Sequence, residues 1–484
     1  MFENFAKNSV YKNYINGEWI ISKENQLIDI CSPIDGSLVR KVSSMSTEEV
    51  DNVLRISKEA QKDWVKVPLN KKGQILNKVA DYLVQEQEYI SEIISREVGK
   101  DRKSAISEVL RTADFIRFTI EAAKNINGEV INGEAFDGFD KSKTAIVKRE
   151  PLGVILAISP FNYPINLAIS KIVPALISGN SVVLKPATQG CISALHVIKM
   201  FELAGLPKGV LNTITGRGSV IGDYVVTHPL VDMINFTGSS EVGIRIANLT
   251  GKVPLLMELG GKDAAIVLED ADLEKAANEI VKGAFSYSGQ RCTAIKRVLV
   301  VDEIADNLIE LLKNNISKLK VGNPLTNNDI DIVPLIDDKS AENIYKLIEE
   351  TKNMGATLVI GGEGKGRLIE PTLFDNITLD MRLAWEEPFG PILPVIRVKD
   401  MEDAIKVSNE SNYGLQASIF TNDINKAFTI SNELQVGTVQ INGKTERGPD
   451  NFPFLGVKDS GIGVQGIRNS IESMTRVKVV VVNL

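Results

Sequence analysis

Cys292 is the residue of this sequence whose type and setting could support covalent chemistry. It lies in the segment 285–293, directly after Arg291 and three residues after Gly289. A neighbouring cation lowers the pKa of a thiol and so raises the fraction present as thiolate, the nucleophilic form. A buried, inert cysteine is the alternative, and for a cysteine considered in isolation it is the better interpretation. The nucleophile hypothesis therefore depends on the residues that accompany Cys292.

Two polar side chains follow predicted strands and could assist such a nucleophile. Glu258 ends one strand, before the glycines Gly260 and Gly261, in a bend where a carboxylate could face a pocket. Asn162 follows another strand, and its amide could hold an oxyanion. Considered singly, Glu258 also suits a solvated turn, and Asn162 also suits a helix N-cap or a turn. The two residues become informative only together with Cys292.

Two glycine patterns point to a nucleotide phosphate. The segment 237–243 (Thr-Gly-Ser-Ser-Glu-Val-Gly) follows a strand and opens a helix. Glycine there lets a helix N-terminus approach a pyrophosphate, and Ser239 could donate a hydrogen bond. Gly216, Gly218 and Gly222 also follow a strand. Either pattern alone is weak, because turns after strands are often rich in glycine. Their place within a strand–helix series favours nucleotide binding.

The segment 185–188 (Lys-Pro-Ala-Thr) bears on the choice of nucleotide. A carboxylate at this strand end could accept hydrogen bonds from both ribose hydroxyls of NAD and would repel a 2′-phosphate. Thr188 is uncharged, and Lys185 and Arg217 bring positive charge nearby. We therefore expect NADP rather than NAD, with a plain strand-to-helix turn as the alternative.

Composition and charge exclude several classes of protein. Hydrophobic residues make up 43% and charged residues 24% of the 484 residues, which is typical of a globular protein. We find no apolar run long enough to span a bilayer, and residues 1–8 do not resemble a signal peptide. A net charge of −7 without a broad basic run argues against a nucleic-acid partner. Three widely separated cysteines (Cys31, Cys191, Cys292) suit a reducing cytoplasm.

The histidine content narrows the chemistry further. The sequence has two histidines, His196 in a helical segment and His228 before Pro229, and no Cys-x-x-Cys pair. A zinc alcohol dehydrogenase needs a Cys/His cluster, and a Ser-His-Asp hydrolase would have to use one of these two residues. We expect both histidines to be structural, and neither a metal site nor serine hydrolysis.

The hydrophobic pattern indicates the elements that position these residues. Residues 46–122 are predicted to be mostly helical, beginning at an N-cap signal at Ser46, and 127–149 to form a two-stranded excursion. From Gly153 strands alternate with helices, as in a parallel sheet of Rossmann type. The predicted strands cover 154–158, 181–185, 210–214, 233–236, 264–268, 298–301, 357–360, 392–397 and 418–420, with helices over 166–178 and 189–204. The β-branched segment 477–484 could add to a sheet edge, including one of a partner subunit.

In combination, these residues resemble the aldehyde dehydrogenase superfamily over essentially the whole chain. The motifs that carry the resemblance are, in order, Pro160-Phe161-Asn162-Tyr163-Pro164, Phe236-Thr237-Gly238-Ser239, Glu258-Leu259-Gly260-Gly261-Lys262, Gly289-Gln290-Arg291-Cys292 and Glu387-Pro388-Phe389-Gly390-Pro391. The family fold this implies is α/β, with two Rossmann-like lobes and a small β arm. The implied division is an NADP-binding domain (1–126 and 150–259), a catalytic domain (260–438) and an oligomerisation arm (127–149 and 470–484) of a cytoplasmic homotetramer.

The resemblance also implies a role for each site residue. Cys292 would attack the aldehyde carbonyl, and Asn162 with the Cys292 backbone N–H would hold the oxyanion. After hydride transfer, Glu258 would activate the water that hydrolyses the thioester. Family members that pass the acyl group to coenzyme A lack this glutamate, so a free acid is the expected product. Glu387 would position the nicotinamide ribose. The implied cofactor-binding residues are Ser159, Pro160, Lys185, Thr188, Arg217, Gly218, Thr237, Gly238, Ser239, Glu387 and Phe389.

Four segments (215–219, 289–294, 384–390 and 445–454) look more specifically like the bacterial NADP-dependent, non-phosphorylating glyceraldehyde-3-phosphate dehydrogenases. This implies oxidation of D-glyceraldehyde 3-phosphate to 3-phosphoglycerate without inorganic phosphate. Arginine suits a buried phosphate because it is always charged and can donate two parallel hydrogen bonds. Leu455 stands where many superfamily members have glycine, a departure that fits this subfamily. The implied substrate-binding residues are Arg111, Asn162, Tyr163, Arg291, Thr293 and Arg447.

Two alternatives to this function remain at this point. The substrate could be a non-phosphorylated aldehyde or semialdehyde, or the chain could be a catalytically idle binding protein. Without the family, Arg111 would be assigned to a solvated helix face and Arg447 to a loop surface. Arg291 has two possible duties, lowering the thiol pKa and binding the phosphate, and we expect the second to dominate. The phosphorylating glycolytic enzyme is a poor rival, because its cysteine works with a histidine.

Overall fold

The structure is a computed structural model that describes residues 6–7, 10–24 and 26–483. Most of the segment 1–8, on which the signal-peptide prediction rests, and Leu484 at the end of the predicted terminal strand lie outside the described residues. None of the helices in the described part of the chain is long and apolar enough to cross a membrane.

The helices and strands are numbered in chain order. The α-helices are α1 Thr47–Trp64, α2 Leu69–Gln85, α3 Gln87–Val98, α4 Arg102–Ala123, α5 Asn166–Ile177, α6 Cys191–Leu203, α7 Gly218–Val226, α8 Ser240–Thr250, α9 Leu273–Phe285, α10 Asp302–Ile316, α11 Asp338–Asn353, α12 Arg382–Trp385, α13 Met401–Asn409, α14 Ile424–Glu433 and α15 Ile467–Ser473. The strands are β1 Ala6–Lys7, β2 Val10–Tyr11, β3 Asn13–Ile15, β4 Glu18–Ile20, β5 Leu27–Cys31, β6 Leu38–Ser43, β7 Glu129–Asn132, β8 Lys143–Pro151, β9 Val154–Ser159, β10 Ser181–Pro186, β11 Leu211–Thr213, β12 Met233–Thr237, β13 Leu255–Glu258, β14 Ala264–Val267, β15 Arg297–Val301, β16 Thr357–Ile360, β17 Gly364–Lys365, β18 Leu368–Ile369, β19 Thr372–Asp375, β20 Ile392–Val398, β21 Tyr413–Gly414, β22 Gln416–Phe420, β23 Thr438–Ile441, β24 Val457–Lys458, β25 Gly461–Ile462 and β26 Thr475–Asn483.

The helical region before residue 124 begins where the sequence predicts. Ser46 caps α1, because its hydroxyl accepts from the Glu49 N–H while the Glu49 carboxylate accepts from the Ser46 N–H. This reciprocal pair satisfies two backbone donors that the first helical turn leaves open. The prediction of mostly helix over 46–122 is confirmed by α1 to α4.

The first large sheet places the ends of its strands along one edge. Its order is β11-β10-β9-β12-β13-β25, with β9 to β13 parallel and β25 antiparallel. In this register Pro186 is level with Ser159, and Thr237 is level with Glu258. Because the strands are parallel, their carboxyl ends and the polar residues there meet at the same edge.

Helix α5 packs against β9, β10 and α4, and all twelve of its residues are buried. A sheet covered on both faces requires apolar strands, which is why β9 and β10 are almost continuously hydrophobic. Lys171 of α5 is therefore a charged residue at the centre of an apolar layer, and its position calls for a partner.

The second large sheet has the order β16-β19-β20-β15-β14-β22-β23, with β16 antiparallel and the other pairs parallel. All five strands predicted between residues 264 and 420 belong to it. The short strand β25 joins the first sheet instead, so the chain after residue 438 crosses from one sheet to the other.

The β excursion over 127–149 is confirmed by β7 and β8, which pair antiparallel. The terminal strand β26 pairs with β8 of its own chain, from Thr475 opposite Pro151 to Asn483 opposite Lys143. The result is a three-stranded sheet in the order β26-β8-β7. Its side chains are largely exposed, including Val130, Val477 and Val481.

Candidate active site

One cavity collects most of the residues that the sequence predicts for catalysis and substrate binding. It lies beside the end of β13 and the start of α5. The lining residues are Arg111, Tyr163, Asn166, Leu167, Glu258, Arg291, Cys292, Thr293, Glu446 and Arg447.

A tight turn presents Cys292 to this cavity. Tyr287, Ser288 and Gly289 adopt positive φ angles of 52°, 55° and 72°. A side chain at Gly289 would place its Cβ 2.4 Å from the Gly390 carbonyl oxygen, so this position requires glycine. The turn is held from both sides, since the Tyr287 hydroxyl donates to the Val98 carbonyl at 2.6 Å and the Ser288 hydroxyl to that of Val333 at 2.8 Å. Strained backbone held this firmly is typical of a functional segment.

The Cys292 thiol faces the carboxylate of Glu258. Sγ lies 3.6 Å from Glu258 Oε1, within reach of an S–H donor. Burial raises the pKa of the thiol well above its ordinary value, and the charge of Glu258 raises it further. Cys292 is therefore a neutral thiol at neutral pH, beside the group that could take its proton.

Of the two duties considered for Arg291, lowering the thiol pKa is the one that the structure assigns to another residue. The cation that lowers the pKa of Cys292 is Lys296, whose ammonium donates to the Cys292 carbonyl, and burial outweighs it. The Arg291 guanidinium instead donates from Nη2 to the Gly283 carbonyl at 2.5 Å. Its Nε is buried without a hydrogen-bond partner among the described residues. Arg291 thus retains an unused donor beside the cavity, as a residue that binds an anion would.

Asn162 lies in the loop between β9 and α5. Its Nδ2 donates to the Gln290 carbonyl at 3.0 Å, and its Oδ1 is buried without a partner among the described residues. The N-cap position of α5 belongs to Ile165, so Asn162 does not cap that helix. The bond to Gln290 brings the amide to the Cys292 turn and leaves its second N–H available.

The loop that carries Asn162 is anchored by a buried ion pair. Lys100 Nζ donates to Glu108 Oε2 at 2.5 Å, and Glu108 Oε1 accepts from the backbone N–H groups of Ile165 and Asn166, each at 3.1 Å. The Lys100 ammonium also lies 3.8 Å from the centre of the Tyr163 ring. Glu108 on α4 therefore fixes the start of α5 immediately after Asn162.

Two arginines on the cavity wall are paired with carboxylates. Arg447 Nη1 lies 2.7 Å from Glu258 Oε2, and Arg447 Nη2 donates to Gln465 Oε1 at 3.0 Å. Arg111 donates to both carboxylate oxygens of Asp450, at 2.7 and 2.8 Å, and to the Arg447 carbonyl at 2.9 Å. The two guanidiniums are thus linked through Asp450 and the 447–450 loop.

Lys171 is a site residue that the sequence interpretation missed. Its ammonium donates to Thr237 Oγ1 at 2.6 Å. Burial lowers the pKa of Lys171 to about 7, the charge of Glu258 raises it, and that of Arg447 lowers it. The sequence feature that could have identified Lys171 is the presence of one lysine within the apolar run 166–177. The sequence interpretation also missed Asp450 and Lys296. Asp450 pairs with Arg111, which lies 339 residues away. Lys296 pairs with Glu387, a residue that the sequence interpretation assigned to the nicotinamide ribose.

The predicted cofactor residues gather at the carboxyl edge of the first sheet. The Ser159 hydroxyl is buried there without a partner among the described residues, which indicates a place for a ligand group. Lys185 is on the neighbouring strand, and burial lowers its pKa to about 8. Thr188 is partly exposed and Arg217 is exposed, before α7 and its first residue Gly218. A threonine and two cations at this edge fit a 2′-phosphate.

The remaining cofactor candidates lie on either side of this edge. Ser239 caps α8 and accepts from the Val242 N–H at 3.4 Å. Glu387 Oε1 is 3.1 Å from Lys296 Nζ and accepts from the Gly261 N–H at 3.2 Å. Phe389 stacks edge-on against Phe161, with 6.0 Å between ring centres. These positions connect the glycine turn after β12 with the Cys292 cavity.

Both histidines lie away from the cavity lining, as predicted. His196 is buried in α6, where Nδ1 is 2.8 Å from the Ile192 carbonyl and burial lowers its pKa to about 4. His228 Nε2 is 3.1 Å from Asp51. Each therefore has a structural setting.

Comparison with known proteins decides the family. The sequence profile of the aldehyde dehydrogenase family matches residues 19–480. The chain belongs to the aldehyde dehydrogenase family. It is 57% identical to an NADP-dependent glyceraldehyde-3-phosphate dehydrogenase of Streptococcus equinus, covering 97% of this chain and 98% of that protein. A protein of the same name from Pisum sativum is 50% identical over 98% of this chain and 96% of its own length.

A solved aldehyde dehydrogenase structure agrees in backbone as well as in sequence. The crystal structure of the NADP-dependent glyceraldehyde-3-phosphate dehydrogenase from Bacillus halodurans C-125 complexed with NADP superposes with a TM-score of 0.96. Its sequence is 53% identical, and the match covers 98% of this chain and 99% of that one. The predicted aldehyde dehydrogenase fold is thus confirmed.

Proposed function

We propose that this aldehyde dehydrogenase oxidises D-glyceraldehyde 3-phosphate to 3-phosphoglycerate with NADP and without inorganic phosphate. The observation that carries the proposal is the presence of three arginines, Arg111, Arg291 and Arg447, on the wall of the cavity that holds Cys292. A neutral aldehyde needs no such cluster, whereas a phosphate dianion needs several charged donors when it leaves water. The names of the relatives support the same substrate and cofactor.

The first half of the reaction uses the contact between Cys292 and Glu258. The thiol is protonated, and Glu258 Oε1, 3.6 Å away, accepts its proton as sulfur attacks the aldehyde carbon. The Asn162 amide and the Cys292 backbone N–H stabilise the oxyanion of the resulting thiohemiacetal. Along the sheet edge, Lys185, Thr188 and the glycine turn after β12 would hold NADP, which would supply the acceptor for the hydride that leaves this carbon.

The second half of the reaction releases the acid. Once Glu258 has released the thiol proton to solvent, its carboxylate takes a proton from a water molecule as the water oxygen attacks the thioester carbon. The carbon–sulfur bond then breaks, and the Cys292 thiolate leaves and recovers a proton. Glu258 at the end of β13 is buried and directed at Sγ, a position that suits it to the proton transfer of the first half.

We also propose that the protein works in the cytoplasm as a homotetramer, a dimer of dimers. Three cysteines without disulfides agree with a reducing compartment. The exposed apolar residues of the β26-β8-β7 sheet support an assembly surface there.

Initial-rate assays of the purified protein test the proposal. We expect oxidation of glyceraldehyde 3-phosphate with NADP, at a rate that does not depend on inorganic phosphate, and a lower kcat/KM with NAD. Arg447→Ala should lower kcat/KM for glyceraldehyde 3-phosphate by roughly a hundredfold and leave kcat/KM for D-glyceraldehyde nearly unchanged. A strict requirement for inorganic phosphate, or an equal loss for both aldehydes, would contradict it.

A further inference from the structure

Arg447 faces a competition between two anions. Its guanidinium forms an ion pair with Glu258 Oε2 at 2.7 Å, and both side chains are nearly inaccessible, at 11% and 3% exposure. The same guanidinium lines the cavity that the substrate phosphate would enter. A phosphate there must either share Arg447 with Glu258 or displace Glu258 from it.

The other two arginines differ from Arg447 in this respect. Arg111 is satisfied by both oxygens of Asp450, a residue that does not line the cavity. Arg291 donates to a backbone carbonyl and retains a buried Nε without a partner among the described residues. Of the three, Arg447 is therefore the one whose carboxylate partner is also the general base.

The position of Glu258 makes this pairing important for hydrolysis. Oε1 lies 3.6 Å from Cys292 Sγ, which suits direct proton transfer from the thiol but leaves no room for a water between the two atoms. Hydrolysis needs such a water between the carboxylate and the thioester carbon. The carboxylate must therefore withdraw from sulfur, and its bond to Arg447 opposes that movement.

A phosphate dianion would remove the restraint that Arg447 places on Glu258. It carries twice the charge of a carboxylate and can accept two parallel hydrogen bonds from one guanidinium. We infer, on the basis of the proposed function, that the substrate phosphate replaces Glu258 as the partner of the Arg447 guanidinium. Phosphate binding itself would then free the Glu258 carboxylate to act as the base in thioester hydrolysis. The atoms balance as in ordinary hydrolysis: water adds to the thioester carbon, its proton passes to Glu258, and the Cys292 thiolate departs.

The consequence is a kinetic difference between an aldehyde and its phosphate ester. Acylation uses Oε1, which already faces sulfur, so it proceeds with either substrate. Deacylation of an acyl group that lacks a phosphate is slow, because Arg447 still holds Glu258. Unphosphorylated substrates should therefore accumulate as thioesters, whereas glyceraldehyde 3-phosphate should not.

The experiment compares D-glyceraldehyde with glyceraldehyde 3-phosphate on the full-length enzyme with NADP. Acid-quenched samples are taken during steady turnover, and intact-protein mass spectrometry measures the fraction of Cys292 that carries the acyl group. We expect a mostly acylated enzyme with glyceraldehyde and a mostly free enzyme with the phosphate ester. Sulfate, a dianion that cannot accept the acyl group, should speed the glyceraldehyde turnover of the wild-type enzyme.

The Arg447→Ala variant should change the reactions of the two substrates in opposite directions. It should raise the deacylation rate of the glyceraldehyde thioester, by roughly tenfold, while lowering kcat/KM for the phosphate ester. Arg111→Ala is the matched control variant. It should also lower kcat/KM for the phosphate ester, but it should not speed deacylation of the glyceraldehyde thioester. Arg468→Ala, an exposed residue paired with Glu472 on α15, should change neither.

The possible negative results distinguish failure of the proposed function from failure of the inference about Arg447. An enzyme that does not oxidise glyceraldehyde 3-phosphate with NADP refutes the proposed function. If the enzyme does oxidise this substrate, but Arg447→Ala leaves glyceraldehyde deacylation unchanged or slower, the proposed function stands. Only the inference that phosphate displaces Glu258 from Arg447 is then refuted. Should Arg447→Ala not fold, the sulfate measurement decides, since no acceleration by sulfate would overturn the inference.

Discussion

Lys100 and Glu108 form an ion pair of 2.5 Å whose side chains are 1% and 0% exposed. The pair joins the end of α3 to α4, and through Glu108 it holds the first backbone N–H groups of α5. Breaking a buried pair by removing one partner leaves an uncompensated charge, which costs far more than the pair contributes relative to an apolar replacement.

Lys100→Met should therefore destabilise the protein by about 3 to 5 kcal/mol. Urea unfolding followed by circular dichroism measures the change, and the double replacement Lys100→Met with Glu108→Leu should recover part of it. The control is Lys103→Met, which removes an exposed partner of Asp329 and should leave stability unchanged. Equal effects of the two lysine substitutions would contradict the assignment.

Glu258→Gln should separate the two halves of the reaction. The variant keeps the shape of the side chain but cannot take a proton from water, so deacylation should slow by roughly 10²- to 10⁴-fold. Stopped-flow absorbance should show NADPH formed in the first turnover more slowly than in the wild-type enzyme, because Glu258 also accepts the thiol proton, and almost no steady rate after it. An unchanged first turnover would contradict the role of Glu258 in acylation, and an unchanged steady rate would contradict its role in hydrolysis.

The reactivity of Cys292 should depend on pH in a defined direction. Burial and then Glu258 raise the pKa of this thiol, so the thiolate fraction is small at pH 7 and grows as pH rises. Alkylation of the cofactor-free enzyme by iodoacetamide should accelerate continuously up to pH 9. In Glu258→Gln the second cause is removed, so the thiol pKa falls and the pH profile of alkylation should shift to lower pH. A plateau below pH 8 in the wild-type enzyme would contradict the raised pKa.

Binding of NADP should weaken as Lys185 loses its proton. Burial lowers the pKa of this lysine to about 8, so its ammonium is mostly charged at pH 7 and mostly neutral at pH 9. Titration by fluorescence should show the Kd for NADP rising over this interval more than the Kd for NAD. The difference should vanish in Lys185→Met and persist in Lys199→Met, whose ammonium is paired with Glu202.

The elements that position the site were predictable because they follow hydrophobic periodicity. The strands from β9 to β12 occur where the apolar runs predict them, and Thr237 is level with Glu258, which ends β13. The Glu129–Asn132 strand and its partner were predictable from the same kind of pattern. Periodicity reports which face of an element is buried, and a sheet edge follows from it.

Side-chain pairing could not be predicted in the same way. Arg291 is adjacent to Cys292 in the sequence, yet its guanidinium bonds to Gly283, and Lys296 supplies the nearby charge instead. Arg447 and Glu258 are 189 residues apart, and their contact depends on how the chain crosses between the two sheets. Rotamers and long-range packing decide these contacts, and neither leaves a pattern in the local sequence.

The terminal strand β26 has a consequence for the newly made chain. Its outer edge has no partner strand among the described residues, and Val477, Val479, Val480 and Val481 are each 41% to 54% exposed. A run of exposed valines on an open edge is the kind of segment that seeds aggregation, and the basic residues Arg476 and Lys478 are the kind that restrain it. In the proposed homotetramer a partner subunit would cover this edge, and the yield of soluble enzyme should then depend on how quickly subunits associate.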